Sequence, residues 1–227
     1  MRFFGLGEFE LEEIIEPLEK QFSSVSFYYE AKFPEVILTL ESKCDTDNTL
    51  DLIIENIRHH VKPKSLYHIG NENLVQVIGQ QLQTRGYTIS TAESCTAGYL
   101  ANLLGKEPGS SKHFLGSVIA YDNSIKRKIL HVDEHLLKTF GAVSKEVAEQ
   151  MAQNVQQLMN TTFGIGISGI AGPSGGNEDK PVGTVHLAIT DGKQILHKQR
   201  IFSFERQRFI EYVSWYALFL LKNNFLS

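Results

Sequence analysis

Hydrophobic and polar positions organise the chain into two stretches of different rhythm. In the first, Glu8 to Lys20 carries Leu11, Ile14, Ile15 and Leu18 at helical spacing, with Pro17 near the end. Val25 to Ala31 and Val36 to Glu41 read as strands, parted by a turn at Phe33-Pro34-Glu35. Asp47 or Asn48 reads as the N-cap of a helix that buries Leu50, Ile53, Ile54 and Ile57. The order helix-strand-strand-helix predicts a small α+β unit over residues 1–68. Nothing in it pairs a nucleophile with a base. Val61-Lys62-Pro63-Lys64-Ser65 interrupts the periodicity and reads as a linker.

From residue 71 to 227, helical and strand patterns alternate. A helix over Asn73 to Thr84 places Leu74, Val77, Ile78 and Leu82 on one face, and Gly86 closes it. A short strand, Thr88 to Ala92, runs into Glu93-Ser94-Cys95-Thr96-Ala97-Gly98, and a helix with Leu100, Leu103 and Leu104 inward follows. Phe114 to Tyr121 is the next strand. Ser144 caps an amphipathic helix carrying Val147, Met151, Val155 and Leu158. Three strands, Phe163 to Ile170, Gly183 to Thr190 and Gln194 to Phe202, precede a C-terminal helix. This alternation predicts an α/β domain of three layers, helix-sheet-helix.

Composition narrows the classes of function. Of the 227 residues, 42% are hydrophobic and 21% charged, which excludes a disordered chain. The formal charge of −4 gives no basic footprint for nucleic acid. The N-terminus lacks the apolar core of a signal peptide, and the most apolar stretch, Tyr212 to Leu221, is too short to span a bilayer. A cytoplasmic protein with no membrane partner is the expectation. Cys44 and Cys95 allow at most one bridge.

Two motifs match by letter and fail by context. Gly164-Ile165-Gly166-Ile167-Ser168-Gly169 fits the dinucleotide fingerprint, which needs a helix to open on its last glycine. Here the glycines lie inside a strand, and Gly172-Pro173-Ser174-Gly175-Gly176 follows. His131-Val132-Asp133-Glu134-His135 fits a metalloprotease pattern that needs both histidines on one helix. Asp133 instead reads as the N-cap of the helix carrying Leu136 and Leu137, which leaves His131 outside it. No metal site is supported.

The segment with a chemical signal is Ser94-Cys95-Thr96-Ala97-Gly98. A serine at a sharp strand-to-helix turn sits beside backbone N–H groups that can stabilise an oxyanion or hold an anion. It needs a base. Tyr121-Asp122-Asn123-Ser124-Ile125-Lys126 lies at the end of the next strand, and parallel strands bring such ends together. A partly buried Lys126 loses its proton more easily, giving a Ser-Lys dyad that Tyr121 could assist. Three plainer readings stay open. Ser94 could be only a helix cap, Lys126 and Lys128 a solvated turn, and Cys95 a thiol acidified by the helix N-terminus.

Thr91-Ala92-Glu93-Ser94-Cys95-Thr96, Pro108-Gly109-Ser110-Ser111, Tyr121 to Lys126, Gly141-Ala142-Val143-Ser144, Ser168-Gly169-Ile170-Ala171-Gly172-Pro173 and Lys180 to Val185 occur in this order. In that combination the chain, from about residue 71 onward, resembles the C-terminal domain of the CinA family, the nicotinamide-nucleotide amidase. Residues 1 to about 70, with Phe4-Gly5-Leu6-Gly7-Glu8, resemble the small KH-like middle domain of longer members. The resemblance implies hydrolysis of the carboxamide of nicotinamide mononucleotide, in pyridine-nucleotide salvage, without metal or cofactor. It implies Ser94 as nucleophile, Lys126 as base and Tyr121 as assistant. Backbone N–H groups beside Ser94 would form the oxyanion hole, with Cys95, Thr96, Ser168 and Gly169 around the substrate. Arg206 is the candidate for the substrate's phosphate, against the alternative of a surface arginine paired with Glu205 or Glu211.

The chain departs from the family pattern at two places. Ala97 stands where a glycine is usual, and its methyl is expected to narrow the pocket. Ile210 stands where a second arginine is usual, with Arg208 as the nearby arginine that could stand in for it. Longer relatives add a domain linked to ADP-ribose hydrolysis that this sequence does not contain. These departures keep a rival reading open: a non-catalytic nucleotide-binding accessory tied to competence or DNA damage. The C-terminal helix, from Tyr212 to Leu221, is apolar on nearly every side, which predicts a homodimer that covers it.

Overall fold

The computed structural model describes residues 1–43 and 48–226. Cys44, and Asp47 as a candidate cap, lie outside the described residues. The chain divides into two compact units, Met1–Leu74 and Val75–Ser227.

The first unit runs β1 (Arg2–Phe4), α1 (Glu8–Gln21), β2 (Val25–Lys32), β3 (Glu35–Ser42), α2 (Thr49–His60) and β4 (Leu66–His68). Its sheet has the order β2-β3-β1-β4, antiparallel throughout. That is two interleaved split βαβ units, a ferredoxin-like arrangement. Leu11, Ile15 and Leu18 of α1 and Ile53 and Ile57 of α2 pack with Phe3, Val36 and Leu38 of the sheet. The strands β1 and β4 escape a sequence reading because three residues are too few to show alternation. The stretch that reads as a linker is a turn built into this unit. Ser65 is buried, and its carbonyl accepts from Phe4 N–H at 3.0 Å.

The second unit runs α3 (Leu74–Arg85), β5 (Ile89–Glu93), α4 (Tyr99–Gly105), β6 (Phe114–Ile119), α5 (Asn123–Lys128), α6 (Glu134–Phe140), α7 (Lys145–Met159), β7 (Phe163–Gly169), β8 (Thr184–Thr190), β9 (Ile195–Ile201) and α8 (Arg206–Leu221). Its sheet has the order β6-β5-β7-β8-β9. The first three are mutually parallel and the last two join antiparallel. Strand alternation assigns the faces. Ser90, Ala92, Gly164, Gly166 and Ala188 face α7. Glu93 faces the other way, onto the start of α4, which packs with α8. The layers are therefore α7, the sheet, and α4 with α8.

The glycines of β7 have a packing cause. A Cβ on Gly164 would lie 2.1 Å from the Ala152 carbonyl oxygen, and one on Gly166 would lie 2.3 Å from that of Ala148. The backbone of α7 rests directly on this strand. His131 adopts a positive φ outside α6, whose N-cap Asp133 accepts from His135 N–H.

Most of the apolar surface of the C-terminal helix, expected to need a second copy to cover it, is buried within the chain itself. Phe209, Val213, Trp215, Ala217, Leu218, Leu220 and Leu221 of α8 are all buried within one chain. Tyr212 and Tyr216 pack edge-on against Phe202, with ring centroids 4.9 and 5.6 Å away. No helix among the described residues is long and apolar enough to cross a membrane.

Candidate active site

Three parallel strands deliver the site. Glu93 pairs with Ile119 at the ends of β5 and β6, and the ladder continues one residue as Ala120 N–H donates to Glu93 O at 2.7 Å. On the other side Ser94 N–H donates to Ile167 O at 3.0 Å. Ser94 and Tyr121 thus leave adjacent strands at one sheet edge, where ligands of open α/β sheets bind.

After β6 the chain turns at Asp122, whose carboxylate caps α5 by accepting from Ser124 N–H at 2.7 Å. Sequence reading placed no helix here, because six residues hold too little periodicity. The helix decides which cation turns inward. Arg127 and Lys128 are exposed, whereas Lys126 is 1% exposed. Its Nζ lies 3.0 Å from Ser94 Oγ, 2.7 Å from Ala120 O and 3.1 Å from Tyr121 O. Burial pulls the Lys126 pKa below the ordinary lysine value, opposed by Cys95 and Asp122. A neutral amine has two N–H donors and one lone pair. As an ammonium Lys126 donates to all three oxygens; in its neutral form, with both carbonyls accepting, the lone pair is left for the Ser94 hydroxyl, and in either form the reading of Lys126 as a solvated turn falls away.

The cleft beside this pair holds about 260 Å³ and is lined by Ser94, Cys95, Tyr121, Lys126, Ser168, Gly169 and Arg206, with Asn123, Ala142, Val143 and the Ile170 to Gly175 turn. Arg206 opens α8. Its guanidinium donates to Gly172 O at 2.7 Å and to the Tyr121 hydroxyl at 3.0 Å. These contacts, rather than a pairing with Glu205 or Glu211, set its place at the rim. Ser168 Oγ donates to Ala142 O at 2.6 Å. Gly169 admits its neighbour: a Cβ there would lie 3.0 Å from Cys95 Sγ and 2.7 Å from Thr184 O.

Four expectations read differently in three dimensions. The Cys95 thiol is not acidified; burial above all pushes it up to about 12. The Tyr121 ring is 56% exposed and its hydroxyl is held by Arg206, so its contact with Lys126 is through the backbone carbonyl. Thr96 does not line the cleft, and its buried Oγ1 has no hydrogen-bond partner. Ala97 is exposed and lies outside the cleft, so its methyl narrows nothing. Ile210 likewise lies outside it.

Sequence reasoning also missed the work of Glu93. Its fully buried carboxylate accepts from the N–H groups of Gly98, Leu100 and Ala101 at 3.0, 3.1 and 2.7 Å. The positive end of α4 is therefore already answered by a carboxylate and does not await an anionic ligand. The Ala97 N–H donates to Ser94 O. Among the described residues, the N–H groups of Cys95 and Thr96 donate to no other residue. These two remain beside Ser94. A carboxylate placed just before a short helix was the available signal.

Comparison with known proteins bears on this geometry. Residues 71–225 match the family model described as the CinA C-terminal domain. A CinA-like protein of Koribacter versatilis is 34% identical over 229 residues, covering 100% of this chain and 55% of the relative. One from Prochlorococcus marinus is 39% identical over 212 residues, covering 92% and 49%. The chain thus spans about half the length of the curated relatives it matches. The crystal structure of the competence/damage inducible protein CihA from Agrobacterium tumefaciens is 34% identical, with a TM-score of 0.63, covering 69% of this chain and 98% of that one. A cleft at the ends of β5, β6 and β7, a family match over residues 71–225 and relatives aligned along 92–100% of the chain agree: the chain belongs to the CinA family.

Proposed function

We propose that the chain is an amidase that converts nicotinamide mononucleotide to nicotinate mononucleotide and ammonia. The observation that carries this reading is the buried Lys126 amine, 3.0 Å from Ser94 Oγ with its other directions taken by two carbonyls. An amine whose pKa burial lowers, and which among the described residues has no carboxylate in hydrogen-bond contact, is suited to be a base rather than a counter-ion.

In the forward step Lys126 takes the Ser94 proton as Oγ bonds to the carboxamide carbon. The N–H groups of Cys95 and Thr96 receive the oxyanion. The carbon–nitrogen bond then breaks, Lys126 returns the proton to the leaving nitrogen, and ammonia departs. Water, losing a proton to Lys126, cleaves the acyl-Ser94 ester and restores the hydroxyl. Arg206 and the glycine-rich turn from Ile170 to Gly175 are suited to the phosphate. Tyr121 positions Arg206.

The test is ammonia release from nicotinamide mononucleotide by the purified chain and its variants. Ser94→Ala and Lys126→Met should each lower kcat by about 100-fold or more, and Cys95→Ala should retain activity. Because Lys126 must be neutral, kcat/KM should rise with pH on an acid limb whose midpoint lies below 10.5. A folded chain that binds the nucleotide yet releases nothing would instead be a nucleotide-binding accessory.

A further inference from the structure

The first unit is acidic, with seven Lys and Arg against fourteen Asp and Glu. Yet three of those seven cations, Arg58, Lys62 and Lys64, line one open cavity of about 360 Å³ together with His68. Among the described residues no carboxylate lines it, and Val61, Leu66, Tyr67 and Ile69 complete the wall. Several cationic side chains thus reach one concavity, where a single dianion can meet more than one of them at once.

The turn that presents two of these cations is fixed in place. Ser65 N–H and Oγ both donate to Lys62 O, at 3.0 and 2.8 Å, and Phe4 N–H ties Ser65 O to β1. Between them Lys64 holds a φ of +70, a left-handed conformation that costs a non-glycine residue energy. Lys62 lies 2.9 Å from Glu10 and Arg58 lies 2.8 Å from Glu55. His68 lies 2.8 Å from Glu72. The Lys62 and Arg58 pairs are exposed surface pairs of the weak kind, which a dianion can displace or share.

We propose that this cavity binds a phosphate monoester carried on a flat apolar body, the chemical class of a nucleoside monophosphate. The phosphate meets Arg58, Lys62 and Lys64, and the body lies along Val61, Leu66 and Ile69. The volume suits one small molecule. The site is separate from the Ser94 cleft and does not depend on the reading given to that cleft.

Calorimetric titration of the full chain with adenosine monophosphate, adenosine, inorganic phosphate and a single-stranded oligonucleotide tests it. The monophosphate should bind at least about tenfold more tightly than adenosine, with affinity falling as salt rises. Lys64→Gly, which removes a cation and relieves the strained φ, should weaken binding several-fold while leaving the melting temperature equal or higher. Lys62→Gln combined with Lys64→Gly should weaken it by about tenfold or more. Lys20→Gln, at an exposed lysine outside the cavity, should leave it unchanged. Four results would overturn the proposal: no binding at millimolar monophosphate, affinity unchanged in the double variant, binding weakened as much by Lys20→Gln as by the double variant, or an oligonucleotide bound while the monophosphate is ignored.

Discussion

At the scale of single residues, position along the chain was legible and side-chain direction was not. That Ser94 and Lys126 can meet follows from two parallel strands ending together, which pattern alone suggests. That Cys95 is a poor thiolate, that Tyr121 reaches Arg206 and that Thr96 turns away follow from packing, which spacing does not encode. Ala97 shows the difference. A missing glycine reads as a steric change in the pocket, whereas the exposed methyl lies outside the cleft and the cost is in the backbone. Its φ of +50 is a left-handed conformation, disfavoured for alanine by about 1–2 kcal/mol. The greater freedom of glycine in the unfolded chain offsets part of that. Ala97→Gly should therefore raise stability by about 1 kcal/mol or less, seen as a higher denaturant midpoint at constant m, with KM for nicotinamide mononucleotide unchanged. A raised or lowered KM would put the methyl back against the substrate.

At the scale of elements, long periodic helices and strands were readable, and short ones tied down by tertiary contacts were not. The helices α1 and α7 carry enough turns to declare themselves. The strands β1 and β4 and the helix α5 exist because neighbours complete them: β1 is flanked by β3 and β4, and α5 by its Asp122 cap. The glycine run of β7 carries a fold signal that imitates a cofactor motif. It removes side chains so that α7 can lie on the sheet, and that contact lets β7 run beside β5 to the edge where Ser94 stands. Gly166→Ala would set a methyl 2.3 Å from Ala148 O and 2.6 Å from Ala152 N. Neither is a flexible side-chain tip, so the helix must lift. A loss of about 3 kcal/mol or more is expected, within the range of severe overpacking. Gly7→Ala, where nothing lies within 4 Å of the added carbon, is the steric control and should cost far less, about 1 kcal/mol or less from the poorer N-cap of α1. Equal denaturant midpoints for the two variants would refute the close contact between α7 and the sheet.

At the scale of the whole molecule, Glu35 in the first unit and Lys126 in the second are both buried against their charge, and the two respond to pH in opposite directions. In the first unit Glu35 is 5% exposed, bonded by Tyr67 and 3.3 Å from Arg2. Burial outweighs the arginine and raises its pKa from 4.5 to about 7. The folded unit then binds the proton more tightly than the unfolded chain. Its stabilising contribution is complete below about 4.5 and is lost as pH rises through about 7. In the second unit, burial lowers the Lys126 pKa from 10.5. There the unfolded chain binds the proton more tightly, so stability grows as pH rises from the folded value toward 10.5. A tenfold difference in proton affinity between the folded and unfolded chain is worth about 1.4 kcal/mol, so the shift of Glu35 from 4.5 to about 7 is within reach of hydrogen exchange. Core amides of α1 and β3 should lose protection, after correction for the intrinsic rate, between about pH 5 and 8. Those of β5 and α7 should hold or gain over the same span. Glu35→Gln should flatten the first slope without touching the second, where His186, lowered from 6.5 to about 4 by burial, adds to the rise with Lys126. Parallel slopes in both units, or a Glu35→Gln chain that still loses protection in α1, would show that the charges of the surface, not these two buried groups, set the pH response.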